Sequence, residues 1–299
     1  MSLELCNLGS GSAGNSTLLR VDGRPMLIDA GFGPRAIRKR LNPTGVAVED
    51  LDALLLTHLD RDHFTPTWLP ALAKLRIPLY LAERHLAKLY RAAPDAAPHA
   101  RRLQHAGLIR TFSGQPFELT GREIPQLADD QHATLSARVH PLHLAHDRTG
   151  VVGFVLRNGV HRLGYATDLG RVPPALLDAF AGVDLLALES NYDPHMEAAS
   201  DRPAMLKQRI TGGRGHLSNQ QALDAIRAIC HRSPSPPRHL LLLHLSRQCN
   251  CPRLVRDLYK HDPALAARLC LTRQHAPTPW LRVDAPAPPV VGEQLPMFA

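Results

Sequence analysis

One short stretch constrains this chain more than any other: a run of apolar residues that ends in four potential metal ligands. Residues 53–57 have the composition of a buried strand, and His58, Asp60, Asp62 and His63 follow it directly. A strand that ends in this way presents all four side chains from one edge of a sheet. Asp62 could instead cap the next helix, but that would leave the other three unexplained. The stretch therefore predicts a metal site.

The rest of the chain alternates between short apolar runs and segments with helical periodicity. Strands are predicted at residues 16–21, 25–29, 53–57, 78–81, 134–140, 151–157, 161–166, 185–189 and 239–244. Helices are predicted at residues 35–41, 65–75, 83–93, 173–181, 203–210 and 220–230. At the start of the last helix, Ser218 is expected to cap and Gln221 to reach back, as in a capping box. Hairpins mixed with αβ units favour a layered α/β protein.

The four-ligand run resembles the H-x-H-x-D-H signature of the metallo-β-lactamase superfamily, with Asp60 in place of the second histidine. Later matches follow in the order of that family, first His146, then Asp168, then His244. The resemblance implies an α/β fold, the metallo-β-lactamase αβ/βα sandwich, in which two mixed β-sheets carry helices on their outer faces. Residues 1–283 are expected to form this catalytic domain.

In that superfamily two divalent ions lie between the sheets, and the resemblance assigns their ligands. One ion is expected to take His58, Asp60 and His146, the other Asp62, His63 and His244, with Asp168 bridging. The carboxylate of Asp60 is a harder donor than imidazole, which favours manganese over zinc or leaves one site empty. Asp29 is expected to support a ligand histidine from behind, although it could be a simple turn residue.

Six further segments resemble the exonuclease-like branch of the superfamily, typified by the YycJ and WalJ proteins. They are Gly-Ser-Gly-Ser-Ala-Gly-Asn-Ser at 9–16, Leu-Ile-Asp-Ala-Gly at 27–31, Tyr-Ala-Thr-Asp-Leu-Gly at 165–170, Leu-Glu-Ser-Asn-Tyr-Asp at 188–193, Gly-His-Leu-Ser-Asn at 215–219 and His-Leu-Ser at 244–246. Each alone is weak evidence, but the ordered set is specific. The resemblance implies nucleic acid as the substrate, and DNA before RNA.

Two bound divalent ions can generate a hydroxide nucleophile from water, so no nucleophilic side chain is required. Asp62 and Asp168 are expected to orient that water. His216 precedes an apparent helix N-terminus and is expected to contact a phosphate or protonate the leaving oxygen, unless it merely precedes the cap. The predicted function is a metal-dependent hydrolase, specifically a phosphodiesterase or nuclease with DNA exonuclease activity.

Two other functions stay open, because metal ions alone do not select the substrate. One is a small-molecule hydrolase of the same fold, such as a cyclic phosphodiesterase or a lactonase. The other is a nucleic-acid-binding or clamp-binding protein whose centre has lost activity through Asp60. The net charge of +8 favours a polyanionic partner, although surface arginine in an Arg-rich proteome would give the same value.

Composition also indicates the setting in which the chain works. Five cysteines, an odd number spread along the chain, do not form a disulfide framework and are expected to be reduced. Cys249 and Cys251 stand closer together than the pairs of a zinc knuckle. No segment approaches the roughly 18 apolar residues of a membrane span, and the first residues lack the features of a signal peptide. A cytoplasmic location is therefore expected.

Beyond residue 283 the composition turns to proline and alanine, which predicts an extended tail at 284–299. The tail contains Gln294-Leu295-Pro296-Met297-Phe298, which resembles the Gln-Leu-x-Leu-Phe peptide by which bacterial replication and repair proteins bind the sliding clamp. Leu295, Met297 and Phe298 would fill a groove while Gln294 bonds at its rim. The same side chains could instead dock on the protein's own surface.

Overall fold

The computed structural model describes residues 1–91, 96–122, 136–146 and 148–285. Within these residues the chain forms two β-sheets of seven strands each. The first sheet contains β1 (Leu3–Gly9), β2 (Ser16–Val21), β3 (Arg24–Ile28), β4 (Ala53–Leu55), β5 (Leu79–Ala82), β6 (Ile109–Phe112) and β14 (Leu281–Arg282). The second contains β7 (Phe117–Thr120), β8 (Ser136–Leu144), β9 (Val151–Asn158), β10 (His161–Ala166), β11 (Leu185–Glu189), β12 (His239–Leu243) and β13 (Leu269–Leu271).

Each sheet has an antiparallel half and a parallel half. In the first, β14, β1, β2 and β3 pair antiparallel, and β3, β4, β5 and β6 run parallel. In the second, β7 to β10 pair antiparallel and β10 to β13 run parallel. Parallel neighbours need crossover connections, and their carboxyl ends meet at one edge of the sheet. Loops that carry functional side chains can gather at that edge.

Ten α-helices in the described residues supply most of these connections. They are α1 (Pro34–Leu41), α2 (Trp68–Leu75), α3 (Leu86–Arg91), α4 (Ala96–His105), α5 (Pro174–Ala179), α6 (Pro194–Ala199), α7 (Ala204–Thr211), α8 (Asn219–His231), α9 (Pro252–Tyr259) and α10 (Pro263–Ala266). Buried side chains of α1 to α4 pack on the first sheet, and those of α5, α8, α9 and α10 pack on the second.

The side chains of each strand alternate between two apolar environments, as the pleat requires. In β1, Leu3 and Leu5 lie in the core between the sheets, whereas Leu8 packs toward α1 to α4. In β10, Tyr165 belongs to the central core and Ala166 to the layer beneath the second set of helices. Burying both faces of both sheets produces the αβ/βα sandwich that the family resemblance implied, and that expectation is confirmed.

The helix expected from residue 65 begins later, at Trp68, with Thr67 at its N-cap. The reason is a tertiary contact: Thr65 N donates to Ala30 O at 3.1 Å, and Phe64 forms a parallel bridge with Ala30. The segment after the ligand run therefore pairs with the end of β3 before it turns into α2. Asp62 does not cap that helix, which removes the simple alternative to a metal-site role for it.

Several other expectations can be compared with the structure directly. Ser218 caps α8 and exchanges hydrogen bonds with Gln221, so the predicted capping box is confirmed. All five cysteines are free thiols. None of the helices in the described ranges is long and apolar enough to cross a membrane. The domain boundary at 283 stays a prediction, because residues 286–299, including the clamp-like peptide, lie outside the described residues.

Candidate metal centre

The predicted ligands come together at the edge where the parallel strands of both sheets end. They follow four different strands. The run 58–63 follows β4, His146 follows β8, Asp168 follows β10 and His244 follows β12. Val152 N donates to Thr57 O at 3.0 Å, which ties the second sheet to the start of the run. On the other side, Ala30 N donates to His63 O at 2.7 Å. The loops that carry the ligands are thus fixed by backbone hydrogen bonds.

A first group of side chains consists of His58, Asp60 and His146. Asp60 Oδ2 lies 3.8 Å from His58 Nε2 and 4.0 Å from His146 Nε2. His146 donates from Nδ1 to Gly215 O at 3.2 Å, and His58 Nδ1 lies 2.9 Å from Thr57 Oγ1. Because each Nδ1 is held by an oxygen, each Nε2 is the nitrogen available to the centre.

A second group consists of Asp62, His63 and His244, whose ligand atoms lie within 4.8 Å of one another. Asp62 Oδ2 is 3.6 Å from His63 Nε2 and 3.4 Å from His244 Nε2. The two groups are joined by Asp168. Its Oδ2 lies 2.8 Å from His63 Nε2, its Oδ1 lies 3.0 Å from His244 Nδ1, and it also falls within 4.8 Å of the ligand atoms of His58 and His146.

Two buried nitrogens show that this donor set fits metal ions. His58 Nε2 and His244 Nε2 are inaccessible to solvent and form no hydrogen bond with any described residue. A buried polar atom without a partner costs about 1–3 kcal/mol, which coordination to a metal would offset. Imidazole nitrogens beside carboxylate oxygens are the donors that zinc and manganese take in proteins.

Asp29 lies behind the second group, as expected for a residue that supports a ligand histidine. It is fully buried, and its Oδ2 accepts from His63 Nδ1 at 2.8 Å. Its Oδ1 accepts from Thr57 N at 2.9 Å, and the Thr57 hydroxyl donates to the same carboxylate. Through Thr57 the network continues to His58. One carboxylate therefore orients a histidine in each of the two groups.

The buried carboxylates of the centre favour positive charge beside them. Burial opposes ionisation of Asp168, yet His244 and His63 bring the pKa of this carboxyl well below its usual value. Burial also opposes protonation of His63, yet the carboxylates of Asp168 and Asp29 bring its pKa well above the usual value. Burial and the neighbouring His63 lower the pKa of His58, which stays neutral. In the metal-free protein, imidazolium protons thus stand where divalent cations would bind.

Three non-glycine residues at the centre have a left-handed backbone. Asp29 has φ 61°, Asp168 has φ 55° and His244 has φ 58°. All three come within two residues of the end of a parallel strand. Such conformations cost free energy and persist where the surroundings enforce them, which is common at functional sites. Here the reversal turns each side chain from the strand direction into the shared centre.

Glu189 is a site residue to which the sequence pattern assigned no role. It ends β11, between β10 and β12, and is fully buried. Its Oε1 lies 2.7 Å from His216 Nδ1 and 3.3 Å from His244 Nδ1, while its Oε2 accepts from Leu169 N at 2.6 Å. Burial opposes its charge, but His216 lowers the pKa of Glu189. A charged residue at the end of an apolar strand is the one signal in the sequence that could have drawn attention to it, although it does not reveal the contacts.

His216 lies at the rim of the same centre and keeps one-fifth of its side chain exposed. Its Nδ1 is 3.4 Å from Asp168 Oδ1, in addition to the shorter contact with Glu189. Two residues later Ser218 caps α8, so His216 stands just before a helix N-terminus, as expected. The structure brings it together with the metal-site candidates; its proton-transfer role remains a prediction.

The Gly/Ser-rich turn at 9–16 forms hydrogen bonds with the loops that carry the candidate ligands. Ser10 Oγ accepts from His244 N at 2.8 Å, and Asn15 Nδ2 lies 2.9 Å from His63 Nε2. Asn15 N also donates to Asp62 O at 2.7 Å. A Cβ at Gly31 would lie 1.8 Å from that same Asp62 oxygen, so only glycine allows this approach. Of this turn, Ser12 lines the cavity described next.

A cavity of about 360 Å³ opens onto the centre. One part of its wall is formed by the candidate ligands and His216, namely Asp60, Asp62, His146, Asp168, His216 and His244. The remaining wall includes three arginines, Arg202, Arg209 and Arg214, to which the sequence pattern assigned no role in the site. Anionic and cationic walls thus face one cavity.

This fold and this edge of histidines and carboxylates define a metallo-β-lactamase-fold hydrolase. The chain belongs to the β-lactamase superfamily domain family, whose model matches residues 24–245. The family expected from the ligand run is therefore confirmed.

Two curated relatives and one solved structure give the nearer context. The chain is 24% identical over 256 residues to exodeoxyribonuclease YycJ of Bacillus anthracis, covering 86% of this chain and 87% of that protein. It is 26% identical over 253 residues to exodeoxyribonuclease WalJ of Streptococcus pneumoniae, covering 83% of each. The metallo-β-lactamase fold protein YhfI from Bacillus subtilis superposes with a TM-score of 0.62 at 17% identity, over 93% of this chain and 99% of that one. The expected resemblance to the YycJ/WalJ branch is confirmed.

Proposed function

We propose that this protein is a two-metal phosphodiesterase that hydrolyses nucleic acid, specifically a DNA exonuclease. One observation carries the proposal: Asp168 contacts His63 and His244 of the second group, and its ligand oxygen lies within 4.8 Å of the ligand nitrogens of His58 and His146 in the first. A carboxylate in that position can bridge two ions, the arrangement that two-metal hydrolases use. The ligand sets follow as His58, Asp60 and His146 for one ion and Asp62, His63 and His244 for the other.

The ions proposed are manganese or zinc. When bound, they supply Lewis-acid polarisation of the phosphate and lower the pKa of the attacking water. The remaining chemistry falls to the chain. Asp62 and Asp168 accept hydrogen bonds from the water and orient it for in-line attack. Both residues line the cavity.

His216 is the proposed general acid for the leaving oxygen. Its Nδ1 is fixed on Glu189 at 2.7 Å, so Nε2 is the nitrogen left to deliver a proton into the cavity. Glu189 acts as a positioning residue, because its contact with Nδ1 holds the ring in one orientation. No nucleophilic side chain is needed in this scheme.

The choice of nucleic acid rests on three supports. Two relatives aligned over more than four-fifths of the chain are named exodeoxyribonucleases. The chain carries a net charge of +8, which favours a polyanion. Three arginines line the cavity beside the proposed metal ligands. We further propose that residues 294–298 bind the sliding clamp, which would deliver the enzyme to DNA.

The test incubates the purified protein with single- and double-stranded DNA and RNA, labelled at either end, in manganese, magnesium or zinc. If the label is at the end that an exonuclease attacks, labelled mononucleotide is the first labelled product and is present from the earliest time point. Internal fragments would instead indicate an endonuclease. Cleavage of a lactone or a cyclic diester without cleavage of either nucleic acid would replace the proposal with a small-molecule hydrolase.

Two variants make the result specific to the centre. Asp62→Ala/His63→Ala removes ligands of the second group, and nuclease activity that persists in it would be contamination. Asp257→Ala, on the exposed surface of α9, serves as the matched control and is expected to keep full activity. Metal content is measured on all three proteins, and two ions per wild-type chain are expected.

A further inference from the structure

The segment between α6 and α8 forms the cationic wall of the active-site cavity and is built against the metal centre. Gly215 O accepts the hydrogen bond from His146 Nδ1. A Cβ on Gly170 would lie 2.3 Å from the Cα of Arg214, so the backbone of residue 214 packs directly on the loop that carries Asp168. His216 N closes the segment by donating to Ile210 O at 2.9 Å. The backbone of this wall is therefore held in fixed relation to the ligands.

The three arginines of this wall are not equivalent. Arg202 is already hydrogen-bonded within the protein: it donates to the buried carboxylate of Glu197 at 2.8 Å and to Gln248 at 3.0 Å. The side chains of Arg209 and Arg214 form no hydrogen bond or ion pair with any residue in the described ranges. Both residues line the same cavity as the carboxylates of the centre, and neither side chain forms an ion pair with those carboxylates. The N–H donors of both guanidinium groups are thus free for a ligand.

Apolar side chains accompany these two cations. Leu206 lines the cavity and is 40% exposed, and its neighbour Met205 is 83% exposed at the surface of α7. Exposed apolar groups beside free guanidinium groups suit a ligand that offers anionic oxygens and an apolar face together. A nucleotide strand has both, in its phosphates and in its bases and sugars.

We propose that Arg209 and Arg214 bind the phosphate that adjoins the scissile one, and that Leu206 contacts the intervening nucleoside. This inference rests on the proposed phosphodiesterase function and adds its specificity: a substrate with at least two consecutive phosphates is bound more tightly than a single diester. The adjoining phosphate is either a terminal monoester or the next diester of the strand. Both present the same anionic oxygens to the arginine pair.

The experiment compares two substrates in one enzyme. Bis(p-nitrophenyl) phosphate has a single phosphodiester, whereas a labelled oligonucleotide has many. Arg209→Gln/Arg214→Gln is expected to raise KM for the oligonucleotide by about 10-fold or more, the effect of losing charge-assisted hydrogen bonds, with kcat little changed. Its activity on the single diester is expected to stay at the wild-type level. Arg253→Gln, an 89% exposed arginine of α9 outside the cavity, is the matched control.

Salt dependence provides a second readout. The plot of log affinity against log salt has a negative slope. For each phosphate of a single strand that the variant no longer binds, the magnitude of this slope is expected to decrease by about 0.7. Affinity is measured by fluorescence anisotropy of a labelled oligonucleotide on the Asp62→Ala/His63→Ala protein, with and without the arginine changes. Lysine in place of both arginines should restore part of the affinity lost with glutamine, because lysine keeps the positive charge but lacks the planar guanidinium that binds a phosphate with two hydrogen bonds.

The outcomes separate this inference from the proposed function. Equal losses on both substrates, or unchanged oligonucleotide KM and affinity, would overturn it. If the wild type cleaves the single diester but no nucleic acid, the proposed function fails while anisotropy still decides whether the arginine pair binds phosphates. Oligonucleotides with and without a 5′-phosphate identify the source, since a loss confined to the phosphorylated strand indicates the terminal monoester.

Discussion

Lys88 Nζ lies 2.7 Å from Oδ1 of Asp60, while Oδ2 of the same carboxylate lies 3.8 Å from His58 Nε2. One oxygen thus contacts an ammonium group and the other faces the first ligand group. The superfamily signature has a neutral imidazole where this chain has Asp60. Lys88 offsets the negative charge that the carboxylate adds, and it would compete with a metal ion for the same residue.

Removing this lysine charge should therefore strengthen the first metal site. Lys88→Met is expected to raise the affinity of the first site for manganese on the order of 10-fold, because a like charge near the cation is lost and solvent screens part of the gain. Calorimetric titration of the metal-free protein measures this, with Lys74→Met on α2 as the control. Weaker binding would mean instead that Lys88 holds the carboxylate in place.

Restoring the usual ligand should change which metal the site prefers. Asp60→His replaces a hard oxygen donor with an imidazole nitrogen, so the preference is expected to move from manganese toward zinc. Competition between the two ions, followed by elemental analysis after dialysis, gives the ratio directly. Asp60→Asn is the control, because it removes the charge without supplying a nitrogen ligand. An unchanged ratio in the histidine variant would exclude Asp60 from the ligand set.

Asp29 supports both ligand groups, so a change there should weaken metal binding without touching a ligand. In Asp29→Asn, the amide NH2 would face either the Nδ1–H of His63 or the N–H of Thr57, because both oxygens of the wild-type carboxylate accept from these donors. Metal affinity is expected to fall about 10- to 100-fold, as for other residues that orient metal-bound histidines. Equilibrium dialysis against manganese measures the loss. Thr57→Val, which removes the hydroxyl that contacts Asp29 and His58, should produce a smaller effect in the same direction.

Removing the metals should make stability depend on pH in a defined way. In the metal-free protein the pKa of His63 and of His244 is raised well above normal, so their contribution is fully present below about pH 6.5 and is lost as pH rises through the raised pKa. The pKa of Asp168 is lowered, so its contribution is present above about pH 3.9 and is lost as pH falls through the lowered pKa. The chelated protein is expected to be most stable between these limits.

Thermal unfolding with chelator or with manganese tests this expectation. Bound cations replace the imidazolium protons, so the metal-loaded protein should keep its Tm in mild alkali while the chelated protein loses stability there. The gap between the two forms should widen from about pH 6 to about pH 9. A gap that is constant over this range would contradict the electrostatic account.

The sequence predicted the first half of the site because its residues are neighbours along the chain. His58 to His63 follow one strand, and the family pattern then placed His146, Asp168 and His244 in order. The sequence did not predict roles for Glu189, Arg209 and Arg214. Their roles depend on which strand ends meet and on how residues 200–215 lie against the centre. No local pattern encodes such distances.

The same contrast applies to the fold. Strands 16–21, 161–166 and 185–189 have the predicted bounds, because their apolar runs are bounded by turn residues. β1 was not predicted, since Glu4 and Asn7 interrupt its pattern; both are buried and bonded, Glu4 to arginines and Asn7 to Thr17. Tertiary partners that satisfy polar groups are invisible to a periodicity argument.

The clamp-like peptide leads to a prediction that is independent of the metal centre. Deleting residues 294–299 is expected to abolish binding to a purified bacterial sliding clamp, because the proposed apolar contacts come from Leu295, Met297 and Phe298. Surface plasmon resonance on immobilised clamp measures the loss. Metal content and cleavage of short oligonucleotides should be unchanged, since the proposed metal ligands lie at residues 58–244.

A substitution pair separates the peptide itself from the length of the tail. Leu295→Ala/Phe298→Ala keeps every residue of the tail and should lose binding as the deletion does, while Gly292→Ala/Glu293→Ala, just outside the peptide, should retain it. Long primed DNA loaded with clamp should be degraded faster than bare DNA by the wild type alone, because tethering raises the local concentration of enzyme. Clamp binding that survives both the deletion and the Leu295/Phe298 change would exclude this segment as the contact and point to the folded domain.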